Sequence, residues 1–223
     1  MEIKPIAMFH SPFTEKFGIP KQSGLAKDLE GTIVFEEEYR NADALRGIEK
    51  FDYLWLIWEF SANRHAAASP VVRPPLLGGN TKMGVWATRS PFRPNALGLS
   101  SVRLASVEWE SAQGPVIHVT GADLMDGTPI YDIKPYVTYA DSHAGARSGF
   151  VDEVFMQRLE VAPFPAAFQD VFTPQQLAAL HDVLALDPRP HYQDDPSRVY
   201  GMTFAGVNVR FTVKEGVVEA LLS

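Results

Sequence analysis

The sequence contains no cysteine, which excludes disulfides, cysteine-ligated zinc, iron–sulfur clusters and thiol catalysis. It also lacks a long apolar segment, because the longest run, residues 53–58, is far too short to span a bilayer. The first residues do not form the apolar core of a secretion signal. We therefore expect a cytoplasmic protein without a membrane partner. Its 223 residues, 46% of them hydrophobic, are enough to bury a substantial core.

Acidic residues are absent from residues 60–107, although the whole chain carries a net charge of −7. This segment contains six of the 20 Lys and Arg residues, which leaves 14 basic against 27 acidic residues elsewhere. The six are Arg64, Arg73, Lys82, Arg89, Arg93 and Arg103. A basic segment on an acidic body predicts an anionic ligand bound on one face. The alternative is a loop-rich segment whose arginines pair with acids elsewhere in the fold.

Short apolar runs separated by turn residues predict a mainly β fold in the first two-thirds of the chain. The predicted strands are residues 6–9, 32–35, 53–60, 83–88, 102–109, 116–120 and 130–133, and a short helix capped by Asn41 is predicted at 41–50. Residues 53–60 are almost continuously apolar, so we expect that strand to be buried on both faces. This pattern favours an antiparallel barrel or sandwich. No glycine-rich loop joins a strand to a helix, which argues against a Rossmann domain.

The last third of the chain predicts a small α+β unit. Thr173, Pro174 and Gln176 form a helix start with a capping box, and Leu177, Leu180 and Leu184 follow at helical spacing. Asp187-Pro188 ends this helix. A hairpin is predicted from residues 202–204 and 207–213 about Gly206, before a last strand. We therefore predict two domains, a barrel at residues 1–145 and an α+β domain at 146–223.

Two segments have the residue types that a binding or catalytic site needs. In residues 88–95, prolines hold Arg89 and Arg93 on either side of Phe92, which suits a nucleotide or nucleic acid, although a rigid structural turn would look similar. Residues 123–129 and 132–136 together hold three aspartates, a lysine and a tyrosine, which could accept a proton, bind ribose hydroxyls or neutralise a cation. The six histidines lack metal-ligand spacing, so we expect no metal.

Four motifs in order along the chain resemble the TsaA-like proteins, also called the TrmO family: PFTEKFGIPKQSGL, ALRGIEKFDYLWLIWEF, VRPPLLGGNTKMGVWATRSPFRPNALGLS and DLMDGTPIYDIKPY. The DPRPHY and NVRF segments of the tail are similar to longer bacterial members. The resemblance implies a β-barrel homodimer that uses S-adenosylmethionine to methylate N6-threonylcarbamoyladenosine beside the anticodon of tRNA. Two alternatives are a methyltransferase of this fold with another acceptor and a non-catalytic nucleotide- or RNA-binding barrel.

The resemblance also implies roles for individual residues. Cofactor contacts are expected from Pro20, Lys21, Gln22, Phe60, Ser61, Arg89, Leu99, Gly121, Ala122, Asp123 and Leu124. The tRNA is expected to contact Arg93, Asn95, Lys134 and Tyr136. The acceptor nitrogen must lose a proton, and Asp126 or Asp132 could accept it. Asp126, Asp132 and Tyr136 are thus the predicted catalytic residues.

Overall fold

The structure is a computed structural model that describes residues 2–63, 69–154, 158–190 and 195–222. Within these ranges the strands are β1 (Ala7–His10), β2 (Glu30–Phe35), β3 (Tyr53–Glu59), β4 (Val71–Val72), β5 (Met83–Gly84), β6 (Leu97–Ser111), β7 (Gly114–Thr120), β8 (Thr128–Pro135), β9 (Glu160–Val161), β10 (Tyr200–Phe204), β11 (Val207–Lys214) and β12 (Val217–Leu222). The helices are α1 (Thr138–Asp141) and α2 (Pro174–Ala185), beside several 3₁₀ turns. No helix in these ranges is long and apolar enough to cross a membrane.

Six strands close into a barrel in the order β1-β2-β7-β6-β3-β8, and every neighbouring pair is antiparallel. Alternate residues of each strand point inward and form one apolar core, which agrees with the strand period of two. Gly31 and Gly98 leave room for the rings of Phe9 and Trp58, because a Cβ at either glycine would lie within 2.3 Å of the ring. The predicted antiparallel barrel is confirmed.

Strand β3 is buried on one face only, so the prediction of burial on both faces was wrong. Leu54, Leu56 and Trp58 point into the barrel, whereas Tyr53 on the outer face is 45% exposed. The prediction failed because the outer face of β3 is also apolar, and a sequence pattern does not distinguish aromatic residues on an exposed face from those of a fully buried strand. This outer face is only partly covered, because Tyr136 packs against Tyr53 and Trp55, and Trp55 Nε1 donates to Asp141 at 3.1 Å.

The predicted strand at residues 83–88 is mostly absent. Only Met83–Gly84 pairs, with Val71–Val72, and a 3₁₀ turn at Val85–Ala87 follows. The backbone N–H of Val85 donates to Pro70 O and ends the pairing with β4, after which the backbone N–H and the hydroxyl of Thr88 both donate to Val85 O, so local bonds replace a strand ladder beyond Val85. The segment is a structured loop that leads into Arg89.

The predicted helix at residues 41–50 is also absent, and two 3₁₀ turns, Ala42–Leu45 and Ile48–Lys50, take its place. Asn41 caps the first turn as expected, by accepting a hydrogen bond from Asp43 N. Gly47 separates the turns with φ 90°, a left-handed conformation that ends a right-handed helix.

The C-terminal elements agree with the sequence prediction. Helix α2 begins with the complete capping box of Thr173 and Gln176, and Pro174 is its first residue. Strands β10, β11 and β12 form an antiparallel meander, and β9 pairs in parallel with β12. The division of the chain at residues 145 and 146 stays a prediction.

The described residues form two apolar cores, and the loop between β1 and β2 contributes to the second. One core fills the barrel, and the other joins α2 to β10–β12. Phe13, Ala26 and Leu29 come from the loop at residues 11–29 but are buried in the second core. This loop, called the site loop below, is therefore packed between the two parts of the protein.

Candidate functional site

A partly buried carboxylate, that of Asp123, lies at one end of the barrel. Trp58 Nε1 donates to Ser100 Oγ at 2.9 Å, and Ser100 Oγ donates to Asp123 Oδ1 at 2.5 Å. Trp58 and Ser100 belong to the neighbouring strands β3 and β6, so the pairing of these strands brings the two hydrogen-bonded side chains together. Burial raises the pKa of Asp123, and the hydrogen bond from Ser100 opposes that shift. Asp123 is thus a carboxyl group in a site largely shielded from water.

Arg89 and Gln22 lie beside this carboxylate. The positive charge of Arg89 acts on Asp123 and lowers its pKa, and the Ser23 backbone N–H also hydrogen-bonds to the carboxylate. Arg89 Nη1 donates to Gln22 Oε1 at 2.6 Å, and Gln22 Nε2 donates to Lys21 O at 2.5 Å. The structure therefore brings together a cation, an anion and an amide from three separate segments. We call Gln22, Ser23, Arg89, Ser100 and Asp123 the Asp123 site.

The site loop reaches this position through its backbone. Gly24 N donates to Gly121 O at 2.8 Å, and Gly121 N donates to Leu29 O at 2.9 Å. Gly121 has φ 78°, a left-handed conformation that favours glycine, whereas an added Cβ would make only ordinary contact, 3.5 Å from Gly24 Cα. Ala122 and Leu124 on either side of Asp123 are buried in the barrel core. These contacts fix Asp123 from both sides.

Lys21 lies next to Gln22 of the Asp123 site, on the side of the C-terminal unit, which consists of α2 and β9–β12. Partial desolvation lowers the pKa of the Lys21 ammonium, and the Asp187 carboxylate opposes that shift. Asp187 accepts two hydrogen bonds from Arg189, from Nε at 2.8 Å and from Nη2 at 2.9 Å. Pro20 before it is buried. The predicted cofactor residues 20–22 thus lie in one stretch beside Arg89.

Phe60 and Ser61 follow β3 at the same end of the barrel. The Phe60 ring lies 4.3 Å from the Trp58 ring, centroid to centroid, and Phe60 N donates to Ala96 O at 2.8 Å. Phe60 therefore contacts Trp58, the residue that hydrogen-bonds to Ser100. Leu99 differs from the other predicted cofactor residues, because its side chain lies on the outer face of β6 and is 56% exposed.

The three predicted catalytic residues lie in three different environments. Asp126 precedes β8, where its Oδ1 lies 3.1 Å from His10 Nδ1 and accepts a hydrogen bond from Ser11 N at 3.1 Å. Asp132 lies within β8 and forms an ion pair of 2.9 Å with Lys134. Tyr136 packs against Tyr53 and Trp55.

Asp126, Asp132 and Tyr136 lie at different positions along the barrel axis, because Asp126 precedes β8, Asp132 lies within it and Tyr136 follows it. Asp132 and Tyr136 are four strand residues apart, which is about 13 Å. Tyr136 N bonds to Tyr53 O, at the end of β3 opposite to Phe60, so Tyr136 lies at the far end of the barrel. Asp126 is three residues from Asp123, so their Cα atoms are at most about 11 Å apart. Chain connectivity therefore keeps Asp126 near the Asp123 site, whereas Tyr136 lies at the other end of the barrel. The catalytic roles stay predictions.

The segment between β5 and β6, residues 85–96, presents aromatic rings to solvent; it is called the arginine-rich loop below. The Arg93 guanidinium lies 5.7 Å from the Trp86 ring centroid, and its Nη1 donates to Thr88 O at 3.2 Å. Trp86 is 73% exposed and Phe92 is 50% exposed. Asn95 is also exposed in this loop, while Arg64 of the basic segment lies outside the described residues. The loop therefore combines fixed positive charge with accessible π faces.

Sequence reasoning missed four residues of this region: Trp58, Ser100, Trp86 and Tyr131. Ser100 is an inward-facing polar residue in a strand whose other inward positions are apolar or glycine, which is a usable signal once the strand register is known. Tyr131 donates a hydrogen bond to Glu59, and this bond raises the pKa of Tyr131 to about 12. Nothing in the local sequence indicates that pair, because 72 residues separate its members.

Together, the closed antiparallel barrel and a charged site between a loop and the barrel end define a β-barrel protein with the donors and acceptors that a polar, charged ligand needs. Its sequence matches two family models, the tRNA-methyltransferase O N-terminal domain at residues 8–142 and the TrmO C-terminal domain at residues 158–221. The chain therefore belongs to the TrmO family, a family of tRNA methyltransferases, as the motifs predicted.

Individual relatives agree with this membership. The chain is 36% identical over 221 residues to the tRNA (adenine(37)-N6)-methyltransferase of Escherichia coli K12, with 96% of this chain and 94% of that protein covered. It is 39% identical over 215 residues to a Pseudomonas aeruginosa protein named as an S-adenosylmethionine-dependent methyltransferase, with 94% and 91% covered. The crystal structure of TrmO from Pseudomonas aeruginosa matches with TM-score 0.78 and 31% identity over 99% of this chain and 96% of that chain.

Proposed function

We propose that this enzyme transfers a methyl group from S-adenosylmethionine to N6 of adenosine 37 in tRNA, and that the adenosine carries a threonylcarbamoyl group. The observation that carries this proposal is the Asp123 site, in which Arg89, Gln22 and a buried carboxylate converge on the site loop. Family membership and the E. coli relative support the reaction. A tRNA substrate also implies a cytoplasmic location.

The Asp123 site has the donors and acceptors that this cofactor requires. S-adenosylmethionine supplies a methyl group on a positively charged sulfur and also carries an ammonium, a carboxylate and ribose hydroxyls. In this proposal Asp123 accepts hydrogen bonds from the ammonium or the ribose, and Arg89 binds the carboxylate. Gln22 can bind either group, because its amide both donates and accepts.

We expect an aromatic face, and not a carboxylate, to contact the sulfur of the cofactor. The positive charge disappears during methyl transfer, so a carboxylate against the sulfur would stabilise the ground state more than the transition state. Phe60, beside Trp58 at this end of the barrel, provides such a face. The remaining role of the site is to hold the acceptor nitrogen in line with the methyl group.

Asp126 is the residue that we propose as the proton acceptor. The acceptor nitrogen is weakly nucleophilic and must lose its proton during or after attack. Asp126 is partly exposed, and its contact with His10 gives the proton a route to solvent. Asp132 is the second candidate, but it is engaged by Lys134 on the outer face of β8.

The arginine-rich loop is the proposed tRNA contact. Arg93 and the basic side chains of residues 60–107, a segment without acidic residues, suit phosphates, and the exposed Trp86 and Phe92 suit stacking by unpaired bases of the anticodon loop. Asn95 and Lys134 are the other proposed substrate contacts. Binding should weaken with salt, with a slope of about −0.7 for each single-strand phosphate neutralised.

A homodimer is part of the proposal, and the outer face of β6 with the adjoining part of β3 is its proposed interface. Leu97 and Leu99 are exposed on this face, and Tyr53 is 45% exposed beside its contact with Tyr136. An apolar patch of this kind suits the self-complementary contact of a two-fold dimer. Sedimentation should give a dimer for the wild type and a monomer for Leu99→Glu; an unchanged dimer in that variant would place the interface elsewhere.

Transfer of labelled methyl groups tests the reaction. The substrates are two matched tRNA preparations, one with threonylcarbamoyladenosine and one without it. We expect incorporation into the modified tRNA only. Incorporation into both would remove the threonylcarbamoyl requirement, and binding of S-adenosylmethionine without transfer to either would point to another acceptor.

A further inference from the structure

The site loop has two sides with different partners. On one side, Gln22, Ser23 and Gly24 contact Arg89, Asp123 and the Gly121 backbone. On the other side, the loop contacts the C-terminal unit. Residues 11–29 contain neither helix nor strand, so these two sets of contacts determine the loop conformation.

Apolar contacts attach the loop to the C-terminal core. The Phe13 and Phe204 rings are 5.4 Å apart in an edge-on arrangement, and the Phe17 and Phe211 rings are stacked at 6.3 Å. Gly18 lies so close to the Met202 sulfur that an added Cβ would be 2.8 Å from it. The first half of the loop is therefore part of the C-terminal core.

A polar contact holds the second half of the loop. Arg158 Nη2 donates to Leu25 O at 2.6 Å, and its Nη1 donates to Asp182 Oδ1 at 2.8 Å. Asp182, on α2, also accepts a hydrogen bond from Lys27 N at 3.3 Å. We call this pair the Arg158–Asp182 clip. It binds the backbone at the residue that follows Gly24, directly after the three residues that contact the Asp123 site.

We propose that the C-terminal unit positions the cofactor-binding loop, and that Arg158 and Asp182 are its positioning residues. This inference rests on the proposed function for the identity of the ligand. The clip touches only loop backbone, so it acts through Gln22, Ser23 and Gly24 and does not contact the cofactor. When the loop leaves the binding-competent conformation, the apparent dissociation constant rises in inverse proportion to the competent fraction.

The first test is calorimetric binding of S-adenosylmethionine to the full-length Arg158→Ala variant. We expect the dissociation constant to rise by about five- to tenfold, as it would if the competent fraction fell to about 10–20%. The thermal midpoint should change little, because a partly exposed ion pair contributes little to global stability. Arg46→Ala is the matched control, since it breaks another Arg–Asp pair that does not contact the site loop.

Amide hydrogen exchange provides a second measurement that does not depend on the ligand. In Arg158→Ala, peptides covering residues 20–27 should exchange faster, while peptides from β3 and β6 keep the wild-type rate. Arg158→Lys should restore only part of the affinity, because an ammonium does not reproduce the two-pronged guanidinium contact. Asp182→Asn, which conserves shape, replaces Arg158→Ala if that variant does not fold.

An unchanged dissociation constant and unchanged loop exchange in a folded clip variant would overturn the positioning role. Equal weakening in Arg46→Ala would do the same. If the wild type fails to bind S-adenosylmethionine, the proposed function fails, and the exchange measurement alone decides whether the clip orders the loop.

Discussion

Replacement of Ser100 by alanine tests the connection between the barrel core and the Asp123 carboxylate. The Ser100 hydroxyl accepts a hydrogen bond from Trp58 and donates one to Asp123, and both partners are largely buried. The variant would leave the indole N–H without a partner, which costs about 1–3 kcal/mol, and would remove one bond to a carboxylate. We expect the free energy of unfolding to fall by about 2–4 kcal/mol at neutral pH.

The pH dependence of this loss identifies the carboxylate as its cause. Burial raises the pKa of Asp123 in the folded state, so its contribution to stability is greatest below the unfolded pKa and is lost as the pH rises through the folded pKa. Ser100→Ala removes a bond that lowers this pKa. The pKa therefore rises further, and the variant should lose more stability at neutral pH than in mild acid.

Urea unfolding of the wild type and Ser100→Ala at neutral and mildly acidic pH measures the effect. Ser101→Ala is the control, because Ser101 is the next residue of β6 and lies on its outer face. We expect that control to change the free energy of unfolding by less than about 0.5 kcal/mol. The reasoning is refuted if Ser100→Ala costs no more than Ser101→Ala, or costs the same at both pH values.

Three further substitutions test other parts of the account. Trp86→Ala should weaken tRNA binding by about 1–3 kcal/mol in a filter-binding assay and leave the affinity for S-adenosylmethionine unchanged; equal tRNA binding would remove Trp86 from the RNA contact. Asp126→Asn should lower the single-turnover methylation rate about 10²–10⁴-fold at unchanged cofactor affinity, and an unchanged rate would exclude Asp126 as the base. Glu59→Gln should lower the pKa of Tyr131 from about 12, as ultraviolet titration of the phenolate would report, because the charged acceptor raises it; a pKa that stays near 12 would contradict this cause.

Local signals in the sequence were sufficient for much of the fold. The capping box at Thr173 and the leucine spacing after it define α2, because both act within a few residues. Turn residues such as Gly206 and Gly216 likewise separate the C-terminal strands. Where neighbouring residues determine the conformation, the prediction succeeded.

The failures of prediction have non-local or backbone causes. Gly47 takes a left-handed conformation that divides the expected helix into two turns, and residues 85–88 form local bonds because β5 has only a two-residue partner. Tyr53 stays 45% exposed because Tyr136 covers only part of the outer face of β3. The last two outcomes depend on which segments meet in three dimensions, and a residue pattern does not encode that.

The candidate site could be predicted as a set of residues but not as a geometry. Gln22, Arg89 and Asp123 were identified through family motifs, yet their contacts span 67 residues for the first pair and depend on closure of the barrel. The separation of Tyr136 from Asp126 also follows from the direction of β8. Leu99 and Lys134 lie on the outer face for the same reason, because alternate strand residues point to opposite sides.

The central claim is that the Asp123 site binds S-adenosylmethionine, and calorimetry of the Asp123→Asn variant tests it most directly. This substitution conserves shape and replaces a carboxyl group whose pKa burial raises with a neutral amide, so the fold should be retained. The dissociation constant should rise about 10- to 100-fold, as expected for the loss of one charge-assisted hydrogen bond. Asp170→Asn, an exposed acid in the C-terminal unit, should bind like the wild type. Wild-type affinity in Asp123→Asn would contradict the assignment of this site.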